Sequence, residues 1–101
     1  MSEIRTITPK EVKSRLDNGE SLLIIDVRED EEVAAGMIPG AKHIPMGTIP
    51  ERIADIPKDR EVIMVCRSGN RSAHVCQFLQ AVHGYGNVVN MTGGMLEWER
   101  L

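Results

Sequence analysis

Cys66 is preceded by the apolar run Val62-Ile63-Met64-Val65 and followed by Arg67-Ser68-Gly69-Asn70-Arg71-Ser72, a stretch that is polar, cationic or glycine throughout. A thiol between the end of a buried strand and the start of a helix lies where backbone N–H groups can turn inward as an anion nest, with the partial positive charge of the helix terminus behind them. Such a sulfur ionises readily and is a nucleophile at neutral pH, and Arg67 adds a full positive charge beside it. A cysteine kept only for packing would have apolar neighbours, which this one lacks on its C-terminal side. Arg71 closes the loop at the helix start, where it either steadies the loop or helps hold an anion. The second cysteine, Cys76, lies just beside the stripe Val75, Phe78, Leu79 and Val82, so it is read as a packed thiol and not as a resolving partner for Cys66. His74 and His83 are single histidines without a second ligand at metal spacing. No metal site and no cofactor are expected.

The elements that must hold this loop follow from patterning. Ile4 to Ile7 reads as a short strand, and Thr8-Pro9-Lys10-Glu11 supplies an N-cap, a first-turn proline and a capping-box glutamate. A helix follows with Val12 and Leu16 on one face and Gly19 as its stop. Ser21 to Asp26 is apolar without alternation, as suits a strand covered on both faces, and Glu29 to Glu32 starts a short acidic helix. Residues 41–44 read as a short strand, 48–53 as a helix, 61–65 as a second buried strand, 72–82 as a helix, 88–91 as the last strand and 95–100 as a closing helix. Alternation of this kind means an α/β fold: an open, mostly parallel five-stranded sheet with helices on both faces. In such sheets ligands bind at the carboxyl ends of the strands, which is where Cys66 stands.

Composition narrows the function. A chain of 101 residues with 42% hydrophobic and 27% charged residues is expected to form one soluble domain, 1–101, with a core that needs no disulfide. The net charge of −3 argues against nucleic acid as a partner, and no apolar run approaches membrane length. Met1-Ser2-Glu3-Ile4-Arg5 has no apolar region, so a reducing compartment, the cytoplasm, is expected. Residues 62–96 contain no Asp or Glu, although residues 1–61 hold thirteen acids against nine bases. The cysteine loop therefore sits in the one long stretch free of carboxylates.

Four segments in order make the chain resemble the rhodanese family of sulfurtransferases. They are Asp26-Val27-Arg28-Glu29 with Glu32; Gly36-Met37-Ile38-Pro39-Gly40-Ala41 with Ile44-Pro45; Cys66 to Ser72; and Asn87-Val88 through Gly93-Gly94 to Trp98. Met37 stands where the family usually has His, and Val33 where an aromatic is common. The resemblance implies that the Cys66 thiolate takes the outer sulfur of a small anionic donor such as thiosulfate and passes it on to a thiol or protein acceptor. It further implies that Arg67 is a substrate-side residue and that Ser68, Gly69, Asn70, Arg71 and Ser72 complete the loop. In the family's sheet Asp26 would end the strand beside that of Cys66. A carboxylate near a thiolate opposes its ionisation, so Asp26 is read as a structural acceptor, and Arg28 as its supporting neighbour in an ion pair with Glu32.

Three other readings compete. A cysteine phosphatase or arsenate reductase also sets a thiolate before a helix, but the phosphatase loop is Cys-x5-Arg. Here the interval is Cys66-x4-Arg71, with Ser72 in the arginine's place. An interaction module without turnover typically lacks the cysteine. A persulfide carrier charged by a protein partner would use the same residues.

Overall fold

A computed structural model of the chain describes residues 3–101. Strand and helix alternate as β1 (Arg5–Ile7), α1 (Pro9–Asp17), β2 (Leu23–Asp26), α2 (Asp30–Val33), β3 (Lys42–His43), a 3₁₀ segment (Met46–Asp55), β4 (Val62–Val65), α3 (Asn70–His83), β5 (Val88–Met91) and α4 (Gly94–Trp98). The strands form one sheet in the order β1-β5-β4-β2-β3, and every pairing is parallel. This is the open α/β sheet that the alternation of patterns predicts. β4 is the central strand, so Cys66 leaves the sheet in the middle of its carboxyl edge.

Side chains of β4 alternate between two apolar layers, as a strand buried on both faces requires. Val62, Met64 and Cys66 face one layer, with Val75, Cys76 and Leu79 of α3 and Ile49 of the 3₁₀ segment. Ile63 and Val65 face the other, with Val12 of α1 and Met95 of α4, and Trp98 packs against its margin. Helices thus cover both faces. Among the described residues no helix is long and apolar enough to cross a membrane.

The local signals at α1 hold: the Thr8 hydroxyl accepts from the Glu11 N–H at 3.1 Å, and Glu11 accepts in return from the Thr8 N–H at 3.0 Å. Two expectations are corrected. Residues 48–53 lie in a 3₁₀ segment and not in an α-helix, because Pro50 inside it has no N–H to donate and Arg52 leaves helical geometry. Val82 was expected on the apolar face of α3 but is 63% exposed. The helix turns Val75, Cys76 and Leu79 inward, and Val82, in its last turn, faces solvent.

Candidate active site

Cys66 is fully buried, which its polar flank did not predict, yet its sulfur is not in a purely apolar setting. The Gly69 N–H donates to Sγ at 3.1 Å, and the Ser72 hydroxyl lies 3.3 Å from it. Gly69 is the N-cap of α3 and takes a left-handed conformation, φ 98°, which turns its N–H back toward the sulfur. Among the described residues the N–H groups of Asn70 and Arg71 have no protein acceptor, as the first turn of a helix leaves them, and those of Arg67 and Ser68 in the loop before it have none either. The loop therefore offers unpaired donors and the positive end of a 14-residue helix around one sulfur. Arg67, Ser68 and Asn70 are exposed and form the rim, so any reactant enters through them.

Two neighbouring elements hold the loop from beneath. The start of α4 donates its Met95 N–H to the Cys66 carbonyl at 2.9 Å and its Leu96 N–H to the Arg67 carbonyl at 3.0 Å. These bonds occupy both carbonyls and tie the loop to α4. From β5, the Asn90 amide nitrogen donates to the Gly69 carbonyl at 3.1 Å, while its oxygen accepts from the Ser72 hydroxyl at 2.5 Å. Asn90 is not among the loop residues that the sequence singles out. A polar side chain in the otherwise apolar strand Val88-Val89-Asn90-Met91 is the signal that could have found it, since a buried amide requires partners.

Arg71 does not reach toward the sulfur for support. Its two terminal nitrogens donate to both carboxylate oxygens of Glu32 at 2.7 and 2.6 Å, so α2 is clamped to the start of α3. This corrects the expected Arg28–Glu32 pair. Arg28 instead forks onto Asp26, with Nη2 at 2.8 Å and Nε at 3.0 Å, because Asp26 is a buried carboxylate two residues away with no other cation beside it. The remaining Arg28 donors go to the carbonyls of Glu32 and Gly36, at 3.3 and 2.7 Å. Asp26 is thus a structural acceptor, and among the described residues neither it nor Arg28 is hydrogen-bonded to Cys66. The stretch free of carboxylates in sequence does not remain so in space, because Glu32 returns to it from α2.

The clamp has a pH signature. Hydrogen bonds from Arg71, and then from the Glu29 N–H, hold the Glu32 carboxyl down at about 2. A carboxyl lowered on folding stabilises the fold fully above its unfolded value of about 4.3 and loses that contribution as pH falls toward the folded value. The expected cost of Glu32→Gln near neutral pH is on the order of 1 to 2 kcal/mol, since the pair is bidentate but partly solvated. Thermal melts at pH 7 and pH 3 check this: the gap between variant and wild type narrows at pH 3. An equal gap at both values would mean that the clamp is not an ion pair in solution.

Cys76 is buried in the same apolar layer as Cys66, and burial, with the charge of Cys66 adding to it, pushes its thiol up to about 12. It is chemically quiet near neutral pH, as its place beside the apolar stripe implied. His74 is exposed, and His83 ends α3 with its ring edge-on to Phe78 at 5.2 Å.

The site is a strand, a short polar loop around one thiol and a helix, braced by the start of α4 and by the acidic α2, and the family model for the rhodanese-like domain matches residues 8–101. The chain belongs to that family. The rhodanese-like domain is 50% identical over 97 residues to a Bacillus subtilis protein, YtwF, that carries a sulfurtransferase name, covering 96% of this chain and 92% of the relative. It is 43% identical to a sulfurtransferase of Allochromatium vinosum, over 96% of this chain and 90% of that one. Among solved structures, a rhodanese-like domain protein from Staphylococcus aureus superposes with a TM-score of 0.88 at 43% identity, covering 94% of this chain and 91% of that one. The activity expected from the sequence is the one these relatives are named for, and the rhodanese-like domain is a sulfurtransferase enzyme.

Proposed function

We propose that the domain moves a sulfane sulfur from a small anionic donor such as thiosulfate to a thiophilic acceptor through a persulfide on Cys66. The observation that carries this reading is the sulfur of Cys66 within reach of the Gly69 N–H and the Ser72 hydroxyl, beneath a rim of unpaired N–H groups. In the first step the thiolate attacks the outer sulfur of thiosulfate, the S–S bond of the donor breaks, and sulfite leaves with the electron pair. In the second, a nucleophile takes the outer sulfur of the persulfide and the thiolate returns. Preoriented donors favour both steps, because negative charge stays on sulfur throughout and the loop does not have to reorganise to meet it. Asp26 is not a general base in this scheme, since Arg28 already holds its carboxylate. Free thiols at Cys66 and Cys76 suit a reducing compartment such as the cytoplasm, with the whole chain working as one domain and with no nucleic acid or membrane as partner.

Arg67 is exposed, and no acceptor for its guanidinium stands among the described residues, in contrast to Arg28 and Arg71. It is the cation left to attract the donor. Thiocyanate formation from thiosulfate and cyanide tests both the activity and this role. Arg67→Ala is expected to raise the KM for thiosulfate about threefold to tenfold with a smaller change in kcat, and to affect an uncharged sulfur donor much less. Equal losses in kcat for both donors would place Arg67 at the transition state or in the shape of the loop.

A further inference from the structure

Ser72 is fully buried and has one hydroxyl proton, yet three acceptors surround it: Asn90 Oδ1 at 2.5 Å, Cys66 Sγ at 3.3 Å and the Gly69 carbonyl at 3.3 Å. The orientation of the Asn90 amide is not free. Its nitrogen faces the Gly69 carbonyl at 3.1 Å, which can only accept, so its oxygen must face Ser72. By distance the proton of Ser72 belongs to Asn90 while the sulfur is neutral. A sulfur anion, as thiolate or persulfide, competes for the same proton, and because Cys66 and Ser72 are fully buried that competition is little diluted by solvent. The amide also holds Gly69, whose N–H is the other donor to Sγ. One side chain on β5 therefore touches both groups that serve the sulfur.

We infer that Asn90 is a positioning residue that divides the Ser72 proton between its own amide oxygen and the Cys66 sulfur, and so sets how firmly that sulfur is hydrogen-bonded and how fast it reacts. The inference rests on the proposed role of Cys66, but it concerns the thiol before any donor arrives. A purely structural Asn90 would tether the loop, and its loss would act whether or not Ser72 had a hydroxyl. Division of the proton acts only through that hydroxyl, whereas the bond from Asn90 to the Gly69 carbonyl acts with or without it.

The test is the rate of Cys66 alkylation by iodoacetamide at neutral pH, with peptide mapping to separate it from Cys76, in wild type, Asn90→Ala, Ser72→Ala and the double variant. Asn90→Ala releases the Ser72 proton to the sulfur, and alkylation is expected to rise about threefold to tenfold, the worth of one buried hydrogen bond. The same substitution in the Ser72→Ala background should give no rise. A rise of equal size without the hydroxyl would mean a merely loosened loop, and a fall in the single variant would mean lost support; either overturns the inference. Should Asn90→Ala not fold, Asn90→Asp keeps the size of the side chain while giving up the bond to the Gly69 carbonyl. Its carboxylate holds the Ser72 proton more firmly, so alkylation slows, and the slowing shrinks in the Ser72→Ala background. Undiminished slowing there would be an effect of charge alone and would count against the proposal. No sulfur donor enters the experiment, so wild-type protein that alkylates as described but takes no sulfur from thiosulfate would sink the proposed reaction and leave the role of Asn90 standing.

Discussion

Cys66→Ser is expected to abolish sulfur transfer, a loss of at least about a thousandfold, because a hydroxyl neither ionises at neutral pH nor holds a transferable sulfur. Nothing else near the loop replaces it. Cys76 is the other thiol, but it is fully buried on α3 and its proton is held to about 12. Cys76→Ser is therefore expected to keep most of the specific activity while losing roughly 1 to 3 kcal/mol of stability, the cost of placing a hydroxyl in an apolar layer without a partner. Specific activity per folded molecule, with the folded fraction taken from circular dichroism, separates the two effects. Comparable losses of activity in both variants would make Cys76 a participant and would overturn its assignment as a packed thiol.

Gly94→Ala, far from the reacting sulfur in sequence, is expected to come next in effect. Gly94 has φ +56°, and a Cβ built on it falls well inside contact distance of the Cys66 and Arg67 carbonyl oxygens, which are backbone and cannot rotate aside. Those are the carbonyls that receive the Met95 and Leu96 N–H groups, so the methyl would push the loop off the start of α4. A loss of tenfold or more in kcat/KM follows from displacing loop donors by an ångström, together with roughly 3 kcal/mol of stability. Gly84→Ala is the matching control. Gly84 also has a positive φ, +70°, but nothing lies within 4 Å of a Cβ there. It is expected to lose about 1 kcal/mol of stability and no activity. If the two variants transferred sulfur equally well, the close approach of Gly94 to the loop would not govern the site.

The sheet was legible because its strands are apolar without alternation and its helices are punctuated by local signals: the Thr8–Glu11 box, the proline after it and the glycines at helix ends. The position of Cys66 was legible for the same reason, since a strand-loop-helix junction needs only neighbours in sequence. The charge network was not. Asp26, Arg28, Glu32 and Arg71 offered two acids and two bases, and proximity in sequence suggested pairing Arg28 with Glu32. The fold instead gives Arg28 to the buried Asp26 and brings Glu32 across to Arg71, thirty-nine positions away. Such a choice depends on which carboxylate is buried and on where α2 lands relative to α3, and periodicity carries neither. Asn90 was hidden by its neighbours for a related reason. Within a short apolar strand one polar residue reads as an edge or a flaw until the strand two places along the sheet from β2 is seen to deliver it beneath the loop.

A sulfur carried by Cys66 is covalently bound and adds its mass to the protein. Intact-mass measurement of the rhodanese-like domain after incubation with thiosulfate tests it most directly, with peptide mapping to place the adduct. The expected result is a gain of one sulfur atom on Cys66, reversed by cyanide or dithiothreitol and absent from Cys66→Ser. An unchanged mass under conditions where sulfite is nonetheless released, or an added sulfur mapped to Cys76, would contradict it.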